Sequence, residues 1–390
     1  MKLEAVLDDR SYCSSGRTLL READDGTFTR VGRLPVPGEG FGRLRLAAVT
    51  TRPARAPVDA AVGRYLTTNV WPFEDGTVVA SLGRWVLASD DGGASWTVGH
   101  RLPASSGLRG VLPEAVCRHD GALYLGEYPL ATDATPRVLR STDGGATWST
   151  VLALPGVRHV HAVQSDPFGD AVWVTTGDRD EECRIGRLVD GELRVVGAGS
   201  QRWRAAELAF TPSAVLWGMD CRYVDENELL RLDRTALDDP EPEPVAVGTA
   251  PTSVYHAATL SVGDDRWVAF STGGETDPDS TGPGGADDRR EEVTMDVLAA
   301  AASSGYADWH HLGAYRKRRC VADYASFGGR LPTANAYVFL AGDPDRGLVI
   351  NPYNAVPDDG RLRRVPPDRL AALAGTDPPA GETPARPPSR

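Results

Sequence analysis

The sequence predicts an all-β fold, a β-propeller of four-stranded antiparallel blades with Asp/Gly turns. Seven blades give the most consistent count, and six is the alternative. Three observations lead there: a polar turn motif that occurs twice in full, weaker copies of it at blade-sized intervals, and an almost complete lack of helical periodicity.

The full motif is S-x-D-x-G-x-x-W. It occurs as Ser89, Asp91, Gly93 and Trp96, and again 52 residues later as Ser141, Asp143, Gly145 and Trp148. A polar Ser/Asp/Gly turn between two short apolar runs is hairpin chemistry. Glycine allows a positive φ, the Ser and Asp side chains bond the turn backbone, and the Trp packs across it. Degenerate copies begin at Leu19, Leu188, Leu229, Val297 and Gly347, which makes seven units at a mean spacing of roughly 55 residues. Unit three reads as strands over 114–118, 122–128, 137–141 and 148–152, with a His119-Asp-Gly121 turn. Unit four repeats it at 159–163, 171–176, 183–188 and 193–196. Unit one, 1–36, reads as too short for four strands, so the opposite end of the chain is expected to supply the missing one and close the ring.

One propeller domain is thus expected over 1–365. Residues 366–390 should hold a short helix at 367–374 and then a disordered tail rich in Pro, Thr and Gly. The Asp/Gly/Pro-rich stretch 273–292 reads as a mobile loop within unit six.

Composition narrows function. Forty-two basic residues against 54 acidic ones give a net charge of −12, which argues against nonspecific nucleic-acid binding. No apolar run reaches the ~18 residues of a membrane span, and Met1 to Glu4 opens no signal-peptide run, so a cytoplasmic location is expected. The five cysteines show no C-x-x-C spacing and read as small buried hydrophobes. No P-loop, no H-E-x-x-H and no G-x-G-x-x-G after a strand is present, so no cofactor is certain; a divalent metal stays open.

The repeated S-x-D-x-G-x-x-W turns resemble the Asp-box, or BNR repeat, of sialidase-like (glycosyl-hydrolase-like) β-propellers. The resemblance spans 1–365 and implies the fold. It places the boxes between third and fourth strands, on the face away from the usual active site. Gly126-Glu-Tyr128, His159-Val-His161 and 173–178 also resemble strings of uncharacterised BNR-repeat proteins. The Arg-Ile-Pro motif of true sialidases is missing; Arg33-Leu-Pro35 is a poor substitute, so a classical sialidase is not expected.

Propeller topology sorts candidate chemistry by face. Connections between blades, and between second and third strands, share one face around the axis. The first kind carries Arg109, His159, His161, Trp203, Arg204 and His256; the second carries Glu127, Asp178, Asp220 and Glu275. The expected catalytic group is His159, His161, Glu127, Asp178 and His256. The expected substrate-binding group is Arg109, Trp203, Arg204, Asp220 and Glu275, with Arg pairing a carboxylate and Trp203 stacking on a sugar. His159 and His161 are also the candidate metal ligands. The blander reading is that polar residues gather at strand ends because loops are solvated. The expectation is a hydrolase or lyase acting on an acidic saccharide at the axial pocket. A noncatalytic glycan- or protein-binding propeller, or an assembly factor, is the alternative.

Overall fold

The computed structural model describes residues 1–8, 10–51, 54–107, 110–131, 133–274, 294–324 and 333–375. Seven antiparallel sheets follow one another along the chain, each a meander: 2–33, 68–101, 116–153, 159–198, 209–250, 254–317 and 337–365. These are the blades of a seven-bladed β-propeller. First strands of blades 1 and 2, 3 and 4, 5 and 6, and 6 and 7 contact one another, and blade 7 meets blade 1, so the ring closes around an axis lined by first strands.

Blades 1 to 6 contain four consecutive strands. Two expectations are corrected here. Blade 1 is complete by itself, with strands Lys2–Leu7, Arg10–Ser15, Thr18–Glu22 and Phe28–Arg33, so no strand is borrowed from the far end. Its turns are so short that four strands fit where longer connections had been assumed. Blade 7 is instead the short one, with Tyr337–Asp343, Gly347–Tyr353 and Arg363–Val365, which makes Gly347–Tyr353 a second strand rather than the expected third. The detour from 353 to 363 explains the difference: Ala355–Val356 leaves blade 7 to pair with the outer strand of blade 6.

Two local devices recur. Each four-stranded blade has a register shift between its third and fourth strands, which bends and twists the outer hairpin. The two full turn motifs are built alike. Ser141 Oγ donates to Asp143 Oδ1 (2.8 Å) and accepts from the Gly145 amide (2.9 Å), while Asp143 accepts from the Thr147 amide (2.9 Å) and hydroxyl (2.6 Å). Ser89, Asp91, Gly93 and Ser95 repeat the set. Each turn also docks on the previous blade. A Cβ on Gly99, in the outer strand of blade 2, would overlap the Gly145 carbonyl of blade 3, and Gly32 of blade 1 stands in the same relation to Gly93.

Apolar layers between blades form the core. Trp173, Trp217 and Trp267, each on the second strand of blades 4, 5 and 6, are fully buried. All five cysteines are buried and free, as expected. The helix Pro367–Leu373 forms as expected, and its Leu370 is buried in the blade 6–7 core. A helical insertion between blades 1 and 2, Gly40–Thr50 and Ala56–Val62, was not anticipated. Only Leu46 and Thr50 of its two helices are buried, so the sequence carries little amphipathic signal. No helix among the described residues is long and apolar enough to cross a membrane. Most of 273–292 and the tail beyond 375 lie outside the described residues.

Candidate functional site

The axial face carries two polar clusters rather than the single centre expected. The first joins blades 3, 4 and 5. His159 starts the first strand of blade 4, His159–Ser165, and Asp178 follows the second, Val172–Gly177. His161 is an extra residue in that strand: Val160 pairs with Thr176 and Ala162 with Thr175, so His161 has no partner position. Such a bulge re-aims a side chain. Glu4 of blade 1 and Tyr255 of blade 6 are extra residues at the corresponding place in their first strands.

Asp178 is the hub. Its Oδ2 accepts from Arg158 Nη1 (2.8 Å), and its Oδ1 accepts from His159 Nε2 (3.2 Å) and Arg204 Nη2 (3.1 Å). Burial pushes this carboxyl up, but the hydrogen bonds and charge of His159 and His161 prevail and hold it well below the usual carboxylate range. Burial lowers the His161 imidazole to about 4, against the opposing hydrogen bond to Asp178. Its Nδ1 faces Asp220 Oδ2 at 3.8 Å. Burial works against the Arg204 charge, yet Asp220 and Asp178 raise its pKa above the ordinary arginine value. Tyr128 lies flat on His159, with ring centroids 3.9 Å apart; both imidazoles are buried, while Asp178, Asp220 and above all Arg158 keep some exposure.

The second cluster spans the channel. His256, on the first strand of blade 6, bonds Glu114 Oε1 through Nδ1 at 2.7 Å, although 142 residues separate them. Glu207, ahead of blade 5, approaches the same nitrogen at 3.9 Å and accepts the Ala257 amide at 2.6 Å. Phe339 of blade 7 packs on the His256 ring at a centroid distance of 4.6 Å, and His256 Nε2 is buried without a partner. Burial and the neighbouring Glu114 charge push the Glu207 carboxyl well above the usual range, against the Ala257 amide. Its side chain nevertheless keeps 22% of its exposure, so it opens on the channel.

Each cluster offers three ligand atoms within 4.8 Å of one another: His159, His161 and Asp178 in one, Glu114, Glu207 and His256 in the other. Charge separates them. Asp178 already has two guanidinium partners, so a cation there would face repulsion. Among the described residues no Lys or Arg pairs with Glu114 or Glu207. Two carboxylates this close to one imidazole favour a proton shared within the cluster or a bound cation.

The structure therefore brings His159, His161, Asp178, Arg204 and Asp220 together and seats His256 in a separate cluster. Glu127 joins neither as expected; both of its oxygens accept from Arg137, at 2.5 and 2.8 Å. The sugar-stacking role of Trp203 is corrected. It is buried between blades 4 and 5 and stacked on Trp217 at 5.5 Å, so its faces are already covered. Arg109 and Glu275 lie outside the described residues. Glu114 was assigned to a strand, and Glu207 passed unremarked. Both stand just before a first strand, where the sorting by face would have found them.

No family model matches the chain, and no curated protein matches it. Solved structures do match over most of its length. The WD40 β-propeller domain of Doa1 is 13% identical, with a TM-score of 0.46, and covers 93% of this chain and 92% of its own. Virginiamycin B lyase from Staphylococcus aureus is 13% identical, with a TM-score of 0.47, and covers 90% and 94%. An ancestral GH74 enzyme is 11% identical, with a TM-score of 0.47, and covers 93% of this chain but 45% of its own. These are likenesses of fold.

Proposed function

We propose that the protein is a carbohydrate-active propeller of the Asp-box, sialidase-like kind, a glycoside hydrolase that takes an acidic saccharide at its axial channel. The observation that carries this reading is the contrast between Glu207 and Asp178. Burial and the Glu114 charge raise the pKa of one carboxyl, while the hydrogen bonds and charge of His159 and His161 lower that of the other. Environments that push two carboxyl pKa values apart are how glycosidases assign their roles. Glu207 would protonate the glycosidic oxygen as its bond to the anomeric carbon breaks, and water would then add to that carbon, its proton passing to the Glu207 carboxylate. Asp178, fixed by Arg158, Arg204 and His159, would stabilise the positive charge that develops on the sugar. Arg204 and Arg158 favour a substrate carboxylate. The matching hydrogen bonds of the two S-x-D-x-G-x-x-W turns support the Asp-box kinship.

A second reading rests on Glu114, Glu207 and His256 alone. A divalent cation in place of the shared proton would neutralise a uronate carboxylate and suit elimination. The test is incubation with uronate- and sialate-containing oligosaccharides, with and without EDTA. New reducing ends, lost by roughly 10²-fold or more in Glu207→Gln, support the hydrolase. Unsaturated products that need metal replace it with the lyase, and no product from any substrate refutes both.

A further inference from the structure

A second cavity on the same face, of about 300 Å³, lies between blades 1, 2 and 7 under the helical insertion. Its lining carries five cationic side chains, Lys2, Arg17, Arg33, Arg55 and Arg64, against the single carboxylate of Asp59. Three of the five are neutralised: Lys2 by Glu4, Arg55 by Asp59 and Arg64 by Asp359. Arg17 and Arg33 are not. Arg17 donates only to neutral acceptors, the Thr51 hydroxyl and the Leu34 carbonyl, and among the described residues neither arginine meets a carboxylate. Burial and the Arg33 charge depress the Arg17 pKa. An excess of positive charge is thus held together in a protein whose net charge is −12.

A second, independent feature points to a ligand. Thr67 and Thr68 line the cavity, are 4% and 5% exposed, and their hydroxyls have no hydrogen-bond partner. Buried hydroxyls are seldom left so unless something completes them. The position is built by the fold. The Ser15-Gly16-Arg17 turn joins the second and third strands of blade 1, and a Cβ on Gly16 would press on the Thr50 carbonyl of the insertion. The insertion therefore roofs the turn that presents Arg17.

We infer that this cavity is a binding site for a small oxyanion-bearing molecule, a carboxylate, sulfate or phosphate, held by Arg17 and Arg33 with the Thr67 and Thr68 hydroxyls. The volume sits at the lower end of small-molecule sites, which fits a ligand of one sugar ring or less. The site stands apart from the Glu207 cluster and does not depend on the hydrolase reading.

The test is calorimetric titration of the full chain, at low salt, with inorganic phosphate, sulfate and glucuronate in separate arms. Saturable binding of at least one is expected, and the preferred anion names the source. Arg17→Gln should weaken it about tenfold or more, as loss of a charged hydrogen-bond donor does. Arg33→Gln, at an exposed position, should weaken it in the same direction. Thr68→Val should also weaken it, and Glu207→Gln should leave phosphate and sulfate binding unchanged. No binding in any arm overturns the inference, as do arginine variants that bind like wild type. Loss of phosphate or sulfate binding in Glu207→Gln would put the anion in the axial channel and overturn it too.

Discussion

Acidification should destabilise this protein through one imidazole. His161 is 3% exposed, and burial lowers its pKa from 6.5 to about 4. The groups facing it are His159, Asp178, Asp220 and Arg204, and none supplies enough negative charge to offset the burial. The unfolded chain therefore binds this proton more tightly than the folded one. The stability at stake is fully present above the unfolded value near 6.5 and is lost as pH falls towards the folded value near 4. At about 1.4 kcal/mol per pH unit of difference, the loss is about 3 kcal/mol. Urea unfolding of wild type and His161→Gln, followed by tryptophan fluorescence from pH 7.5 to 4.5, measures it. Wild type should lose about 2–3 kcal/mol more than the variant across this window. Asp178 also stabilises the fold above its unfolded value, but its share is lost only at the acid end of this window. Equal losses in the two, or an imidazole that titrates near 6.5 by NMR, would refute the argument.

Glu207 carries the opposite sign. Its raised pKa means stability is present below the ordinary glutamate value and lost as pH rises through the elevated one, so Glu207→Gln should outlast wild type in alkaline thermal melts. Trp148→Ala should cost about 2–3 kcal/mol by chemical denaturation, less than the ~3–5 kcal/mol of a fully buried aromatic, because Trp148 is only partly buried against the blade 2–3 core. Gly99→Ala should cost at least the ~1–3 kcal/mol of overpacking, since the atom it meets is backbone of the adjoining turn; an unchanged Tm would refute the docking described for that turn.

How much of the molecule was legible in its sequence depended on the range of the signal. The S-x-D-x-G-x-x-W turns were readable because Ser141, Asp143, Gly145 and Trp148 make most of their contacts within a few residues, and local chemistry repeats wherever the turn repeats. Sorting connections by face was readable too, because antiparallel meanders send alternate turns to opposite sides. That reasoning was enough to put His159, Asp178, Arg204 and Asp220 on one face before any coordinates. The insertion at 40–62 escaped because it buries too little to leave a periodic pattern.

What the sequence determined by itself was the ring: local turn chemistry and strand alternation, summed over seven units. Only the tertiary structure decided which side chains meet across the axis. His256 finds Glu114 rather than His159, because blades 6 and 3 face each other over the channel and no residue spacing encodes that distance. It also decided which polar groups keep their charge. The Asp178 carboxyl is held well below the usual range and the Glu207 carboxyl is pushed above it, because His159 and His161 bond and offset the first while burial and the Glu114 charge act on the second. Burial and the position of neighbouring charges set that difference, and both exist only once the ring has closed.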